Sequence, residues 1–306
     1  MRYRLRHTTS YTYSWAVDIS HHMLHLALPE LPRQRVKACL VTTNPQAGRL
    51  AAQIDHFGNR VAHLTIDAPH TRFDVELRAE VEVDAFQAPD AASTPPWEGI
   101  RDRLAGDGFP DFIAESEFVQ VSPLTMATPE IEAYALESFT PGRPLLAAAR
   151  ELTSRIFRDF RYDPAATDVS TPVATVMEAR AGVCQDFAHV EIAMLRGLGL
   201  AARYVSGYIR TVRPGGEPPA KEAPAKLPAE GGGLRGADAS HAWLSVWCGP
   251  DCGWVDLDPT NDLVCSDEHV TAAYGRDYGD ISPVRGVVLG GGPHRVGVAV
   301  ELLPLG

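Results

Sequence analysis

Apolar and polar side chains alternate through the first 88 residues, as in the run AEVEVDA at residues 79–85. A period of two is typical of strands that bury one face. Turn signals at Asn44-Pro45 and Gly58-Asn59 interrupt the alternation. We therefore predict an antiparallel, β-sandwich-like N-terminal domain over residues 1–88, followed by a proline-containing linker over residues 89–96.

Beyond the linker the apolar residues change to helical spacing. Three helices are predicted at about residues 98–104, 130–136 and 145–160. A longer helical pattern runs over residues 183–200 and ends in Gly-Leu-Gly-Leu, a combination that commonly stops a helix. The pattern places Cys184 in the first turn of that helix.

Strand-like runs follow this helix at residues 202–212, 241–247 and 253–258. The second run alternates with a period of two, and the third stops at Pro259. A turn over residues 248–253 would join these two runs in an antiparallel hairpin, which brings His241 and Asp258 to the same end of neighbouring strands. The fold class predicted for this part is α+β, with a helix packed on an antiparallel sheet.

A thiol, an imidazole and a carboxylate therefore occur in an order and a setting that suit nucleophilic catalysis. A cysteine attacks a carbonyl as thiolate, and a helix N-terminus favours an anion there. A histidine accepts and returns the proton, and a carboxylate orients the histidine. Cys184, His241 and Asp258 are the candidates for these roles, which indicates a cysteine hydrolase or transferase.

The same segments resemble a known family. GVCQDFAH at 182–189, ARYVSGY at 202–208, SHAW at 240–243 and GWVDLDPTND at 253–262 are similar to the transglutaminase-like (papain-like) cysteine enzymes, including bacterial proteins labelled as cysteine proteases. The resemblance implies that Cys184 is the nucleophile, His241 the general base and acid, and Asp258 the orienting carboxylate. Asp256, two residues away on the same strand face, is the substitute candidate. The N-terminal segment also resembles the small β domain that precedes the catalytic core in these bacterial proteins.

The resemblance sets the domain boundaries of the rest of the chain. We place a papain/transglutaminase-like catalytic domain at residues 97–290 and a C-terminal strand at residues 291–306. Residues 213–238 are rich in Pro and Gly and longer than the family pattern leads us to expect. We predict that they form a flexible insertion just before the strand that carries His241.

The aromatic residues near the predicted site have two possible roles each. Tyr162 precedes the nucleophile at a position where related enzymes place a side chain that helps to bind the oxyanion, although it could instead be a packed aromatic residue at a helix end. The backbone N–H of Cys184 is the other oxyanion donor. Trp243 and Trp254 either line the cleft or pack beneath it. Asp186 is expected to stabilise the helix N-terminus.

The composition limits the kinds of partner that the protein is expected to bind. The net charge of −11 argues against nucleic acid, which needs a basic surface. No apolar run is long enough for a membrane helix, and the N-terminus lacks the apolar stretch of a secretory signal, so we expect a cytoplasmic protein. A peptide or protein substrate is expected, with no cofactor and no metal. The sequence does not indicate an oligomeric state.

The remaining histidines and cysteines leave alternatives open. His21, His22 and His25 could bind a metal and support a metal-dependent hydrolase, but on an alternating segment their side chains point to two faces, so surface or interdomain contacts are favoured. His189 is expected to be a buried helix histidine that points away from the thiol. Cys248 and Cys252 are read as ordinary thiols that could pair if oxidised. A catalytically silent binding or scaffold module that keeps the fold is the other alternative.

Overall fold

The computed structural model describes residues 1–106, 112–211 and 240–305, so the predicted insertion at 213–238 lies outside the described residues. The N-terminal part is antiparallel throughout, as its alternating sequence predicts. Its strands are β1 (Arg2–Leu24), β2 (Gln34–Asn44), β3 (Arg49–Ile54), β4 (Arg60–Ile66) and β5 (His70–Val83), in the order β2-β5-β1-β4-β3.

The long strand β1 forms both halves of this sheet. Its first part pairs with β5, its last part pairs with β4, and the register shifts between Thr12 and Val17. The change of partner lets the sheet fold over a shared core that includes Leu5 from the first half of β1, Leu64 from β4 and Phe73 from β5. The sheet buries one face of β1, β4 and β5, whereas β3 is exposed along its whole length.

Helices form the first half of the second part. They are α1 (Trp97–Ala105), α2 (Ile113–Ser116), α3 (Pro129–Leu136), α4 (Leu145–Asp159), α5 (Val173–Ala179) and α6 (Cys184–Gly197). Two short parallel strands, β6 (Arg161–Tyr162) and β7 (Ala181–Gly182), lead into α6. Helix α6 is buried on nearly all sides, polar residues included, and lies at the centre of the core against α3, α4 and α5.

A second antiparallel sheet packs against α6. Its strands are β8 (Ala202–Ile209), β9 (His241–Trp247), β10 (Trp254–Asp258), β11 (Leu263–Val264) and β12 (His269–Gly275), in the order β11-β10-β9-β8-β12. The predicted hairpin of β9 and β10 is present, with Trp247 opposite Trp254 and Leu244 opposite Leu257. Ala242, Leu244 and Val246 are buried in the same core as α6. The α+β fold expected from the sequence is confirmed.

The end of the chain returns to the N-terminal sheet. After α7 (Tyr278–Ile281), strands β13 (Val284–Gly290) and β14 (His294–Leu305) run antiparallel to β1 along its length. Residues on both sides of position 290 therefore join the same sheet, a pairing that the sequence pattern did not indicate because it depends on contacts with residues nearly 300 positions away. In the described ranges, no helix is long and apolar enough to cross a membrane.

Candidate active site

Cys184 is the first residue of α6 and is 8% exposed. The Asp186 carboxylate accepts hydrogen bonds from the Val183 N–H at 2.7 Å and from the Thr167 hydroxyl at 2.6 Å. Burial raises the pKa of Asp186, although these two hydrogen bonds oppose the rise. A Cβ at position 182 would lie 2.6 Å from an Asp186 oxygen, so the glycine allows this cap to form. Asp186 thus fixes the turn that presents the thiol, and the first N–H groups of the helix point towards any anion formed there.

His241 is the first residue of β9 and Asp258 is the last residue of β10. Because the two strands are antiparallel neighbours, these residues lie at the same end of the hairpin. His241 Nε2 lies 2.9 Å from Asp258 Oδ2, and the two residues are 1% and 0% exposed. The sheet therefore builds a buried histidine–carboxylate pair beside the N-terminus of α6.

The electrostatics of His241 connect this pair to the thiol. Burial disfavours the imidazolium, but the charges of Asp258 and Cys184 and the hydrogen bond with Asp258 outweigh burial and raise the pKa of His241 to about 10. Since Nε2 faces Asp258, Nδ1 is the ring nitrogen available to Cys184, and it has no hydrogen-bond partner among the described residues. A protonated histidine next to a cysteine favours the thiolate.

Asp258 is held as an anion by several donors. Thr260 N–H donates to Oδ1 at 2.9 Å, and Asn261 Nδ2 donates to Oδ2 at 2.7 Å. A second histidine, His269 at the start of β12, places its Nε2 3.3 Å from Oδ2. Burial alone would raise the pKa of Asp258, yet the two histidines hold it well below its usual value. No local motif marks His269, which lies beyond the strand-like runs that the sequence pattern predicts.

The structure distinguishes Asp258 from Asp256, the substitute candidate for the orienting carboxylate. Asp256 accepts a hydrogen bond from Trp243 Nε1 at 3.2 Å through Oδ2, and no described hydrogen bond joins it to His241. Trp243 itself is fully buried, with its ring 6.2 Å from that of His241. The two carboxylates of β10 thus take different partners, and Asp258 is the one that meets the imidazole.

The other aromatic candidates pack near the site. Tyr162 is half-buried on β6, and its ring meets the Phe187 ring edge-on at 6.4 Å. Trp254 is half-buried against Phe118, and the Arg203 guanidinium lies 4.3 Å from its ring centroid. These contacts are those of packed aromatic side chains, one of the two roles that the sequence leaves open for Tyr162 and Trp254.

The three histidines of the possible N-terminal metal site do not lie together. His21 is exposed and bonds Thr65, whereas His22 is buried and stacks on Phe73 at 4.1 Å. His25 bonds the Ser282 carbonyl. Within residues 1–106, 112–211 and 240–305, no group of three or more His, Cys, Asp or Glu side chains is arranged to hold a metal ion.

The helix histidine and the cysteines are single buried or half-buried groups. His189 is 2% exposed and accepts a hydrogen bond from the Tyr278 N–H at 3.1 Å; burial lowers its pKa to about 4. All five cysteines are free thiols, including Cys248 and Cys252. Of the five, Cys184 is the one that stands at a helix N-terminus beside a histidine.

Comparison with known proteins agrees with this architecture. The family model for the bacterial transglutaminase-like N-terminal region matches residues 3–82, and the model for the transglutaminase-like superfamily matches residues 133–259. An uncharacterized protein of Mycobacterium tuberculosis is 36% identical over 99% of this chain and 93% of its own length. An uncharacterized protein of Mycobacterium leprae is 30% identical over 99% of both chains.

A solved structure from Cytophaga hutchinsonii, named a "putative cysteine protease", has the same fold. It superposes with a TM-score of 0.73 at 20% identity, covering all of this chain and 92% of the other. The two family matches occur in chain order, and the mycobacterial relatives extend over nearly the whole chain. The protein therefore belongs to the bacterial transglutaminase-like family.

Proposed function

We propose that the protein is a thiol-dependent enzyme that cleaves an amide bond through Cys184, His241 and Asp258. The observation that carries the proposal is the buried 2.9 Å contact of His241 with Asp258 at the N-terminus of the helix that begins with Cys184. A thiolate, a proton donor and an orienting carboxylate are the groups that acyl transfer through a thioester requires.

The first half of the reaction forms the thioester. The Cys184 thiolate attacks the carbonyl carbon of the amide, and the carbonyl electrons move to oxygen, which accepts a hydrogen bond from the Cys184 backbone N–H. The oxyanion then collapses and the C–N bond breaks. His241 gives the proton on Nδ1 to the departing nitrogen, so an amine or ammonia leaves and a neutral imidazole remains.

The second half releases the acyl group. His241 removes a proton from water, the resulting hydroxide attacks the thioester carbonyl, and the C–S bond breaks to give a carboxylic acid and the thiolate. An amine in place of water would give a new amide by the same steps. We favour water because amine transfer needs a second binding site, and nothing in the sequence marks one.

The proposed substrate is a peptide, an isopeptide or a glutamine side-chain amide. All three offer an uncharged carbonyl that suits attack by a thiolate. The net charge of −11 mildly favours neutral or basic substrates over acidic ones.

Thiol activation is the first test. The rate of iodoacetamide addition would be followed by intact mass at about pH 6, where ordinary thiols are mostly protonated and react slowly. The wild type should take up one label quickly, and Cys184→Ala and His241→Ala should not. Cys252→Ala, which removes another free and half-buried thiol, should label as the wild type does. Equal slow labelling in all four proteins would overturn the proposal and favour a scaffold module.

A separate experiment tests whether water or an amine accepts the acyl group from the thioester. A glutamine-containing peptide would be incubated with the protein, with and without an excess of a primary amine, and its products identified by mass. Ammonia release with a glutamate product is the expected outcome. Adducts of the amine that outnumber the acid at moderate amine concentration would show that transfer, and not hydrolysis, is the reaction.

A further inference from the structure

The triad carboxylate is shared by two histidines. His269 Nε2 and His241 Nε2 lie 3.3 Å and 2.9 Å from the same atom, Asp258 Oδ2. His269 is 5% exposed, and its ring meets the Trp243 ring edge-on at 5.2 Å. Because Asp258 is ionised, Nε2 of His269 donates its hydrogen to the carboxylate. His269 therefore holds the same carboxylate oxygen that the catalytic histidine contacts.

The strand that carries His269 is an edge of the second sheet, and its free side is held by the N-terminal domain. The Gln34 side-chain amide donates to the Thr271 carbonyl and accepts from the Thr271 N–H, both at 2.8 Å. The Asn59 amide does the same with Tyr274, at 2.7 Å and 2.8 Å. Each amide thus replaces one residue of a missing neighbouring strand. We call Gln34 and Asn59 the amide clamp.

A bulge in β12 makes both bonds possible. In a regular strand, residues two apart point their backbone N–H and C=O groups to the same side, so Thr271 and Tyr274, which are three apart, would point to opposite sides. The pairing of β12 with β8 shifts between Thr271 and Ala273, which inserts one residue and restores the outward direction at Tyr274. The bulge and the two amides therefore fit one another.

The clamp residues are themselves rigid. Gln34 is 3% exposed and also donates to the Pro29 carbonyl at 3.0 Å. Asn59 is 1% exposed and also donates to the Asp55 carboxylate at 2.8 Å. All the side-chain hydrogens of both amides are thus used. Loss of the Gln34 amide would leave the buried N–H and C=O of Thr271 without partners, which costs more than the bonds themselves contribute.

We propose that the N-terminal domain belongs to the catalytic apparatus, because the amide clamp holds β12 and β12 delivers His269 to the triad carboxylate. His269 is then a positioning residue, which acts on Cys184 through Asp258 and His241. The inference rests on the proposed function. Without His269, Asp258 Oδ2 loses a donor that restricts its rotation, so His241 is oriented less well towards the thiol and the thiolate forms at higher pH.

The charged and titratable groups around His269 and Asp258 come from several elements. They are Cys184 and Glu191 on α6, His241 on β9, Asp256 on β10, Cys265 after β11, Arg203 on β8 and Arg33 before β2. The variants described next leave all of these groups in place. A shift in the pH dependence of labelling therefore reports the loss of His269 or of the clamp.

The experiment measures the iodoacetamide labelling rate of Cys184 against pH in the full-length protein. His269→Phe should label about tenfold more slowly at about pH 6, with the midpoint of the rate profile moved to higher pH. His269→Gln, whose amide N–H can reach the position of Nε2, should restore both. Gln34→Met should move the midpoint in the same direction, and Gln53→Met, which removes an exposed amide on β3, should not.

The outcomes separate the two proposals. A wild type without fast labelling would overturn the proposed function itself. Fast wild-type labelling with unchanged rate and midpoint in His269→Phe and Gln34→Met would overturn the positioning role and leave the function standing. Slower labelling with an unmoved midpoint, or a failure of His269→Gln to restore it, would also overturn the role, because loss of packing alone would explain that result. If His269→Phe does not fold, the midpoint of the labelling profile of Gln34→Met tests the positioning role.

Discussion

Glu191 is a buried carboxyl group whose state of charge can be tested through stability. It lies on α6, seven residues after Cys184, and is fully buried. The Thr153 hydroxyl donates to Oε1 at 2.7 Å, while Oε2 has no partner among the described residues. Burial, aided by the negative charges of Asp258 and Asp262 and opposed by the Thr153 hydrogen bond, raises the pKa of Glu191 to about 8. The group is therefore neutral at pH 7 in the folded protein.

The raised pKa makes stability depend on pH. A carboxyl group with a higher pKa in the folded state binds more protons there, so its contribution is fully present below the unfolded value of 4.5 and is lost as pH rises through 8. At about 1.4 kcal/mol per pH unit, the loss is roughly 3 kcal/mol at pH 7 and, because half of the folded molecules are then ionised, roughly 4 kcal/mol at pH 8. Glu191→Gln has the same shape and does not titrate, so it should escape this loss.

Urea unfolding at about pH 5, 6, 7 and 8 measures the difference between Glu191→Gln and the wild type. The variant should gain relative stability steadily with pH, by roughly 3 kcal/mol between pH 5 and 7. Any constant offset from the extra amide hydrogen does not affect this slope. Glu178→Gln, an exposed change on α5, should give a flat difference near zero. A flat difference for Glu191→Gln as well would refute the neutral buried carboxyl.

Three further predictions concern the site and its support. Asp258→Asn should slow the labelling of Cys184 at about pH 6 by 100-fold or more, because the amide cannot stabilise the His241 imidazolium; an unchanged rate would remove Asp258 from the triad. Gly207→Ala should cost about 2 to 4 kcal/mol in urea unfolding, since its Cβ would lie 2.4 Å from the Trp243 ring, and wild-type stability would contradict that packing. Arg196→Lys should cost about 3 to 5 kcal/mol, because Arg196 is 4% exposed and donates to three backbone carbonyls and two hydroxyls; a loss below about 1 kcal/mol would argue against the network.

Local features of the sequence were enough to find the core of the site. Helical spacing after Cys184, and strand-like runs that begin at His241 and end at Asp258, place three reactive groups at the ends of elements. Element ends and a hairpin are short-range properties, which sequence patterns carry well. The sequence pattern does not distinguish Asp258 from Asp256, because both lie on one face of β10. Only the structure shows which of them contacts His241.

The second histidine shows what short-range patterns miss. His269 follows Asp258 by eleven residues and sits on a strand at the far edge of the sheet from β11. Its approach to Asp258 depends on the strand order β11-β10-β9-β8-β12, on a bulge and on two amides from the other end of the chain. No window of the sequence contains these partners together.

The sequence by itself determined the fold class, the position of Cys184 at a helix start and the hairpin that joins His241 to Asp258, because each depends on residues within one or two neighbouring elements. The tertiary structure decided which donors surround the carboxylate, which charges raise the pKa of His241 and how β13 and β14 complete the first sheet. These features come from side chains that meet across long separations in the chain. Their energies depend on burial and on distance, which exist only once the chain has folded.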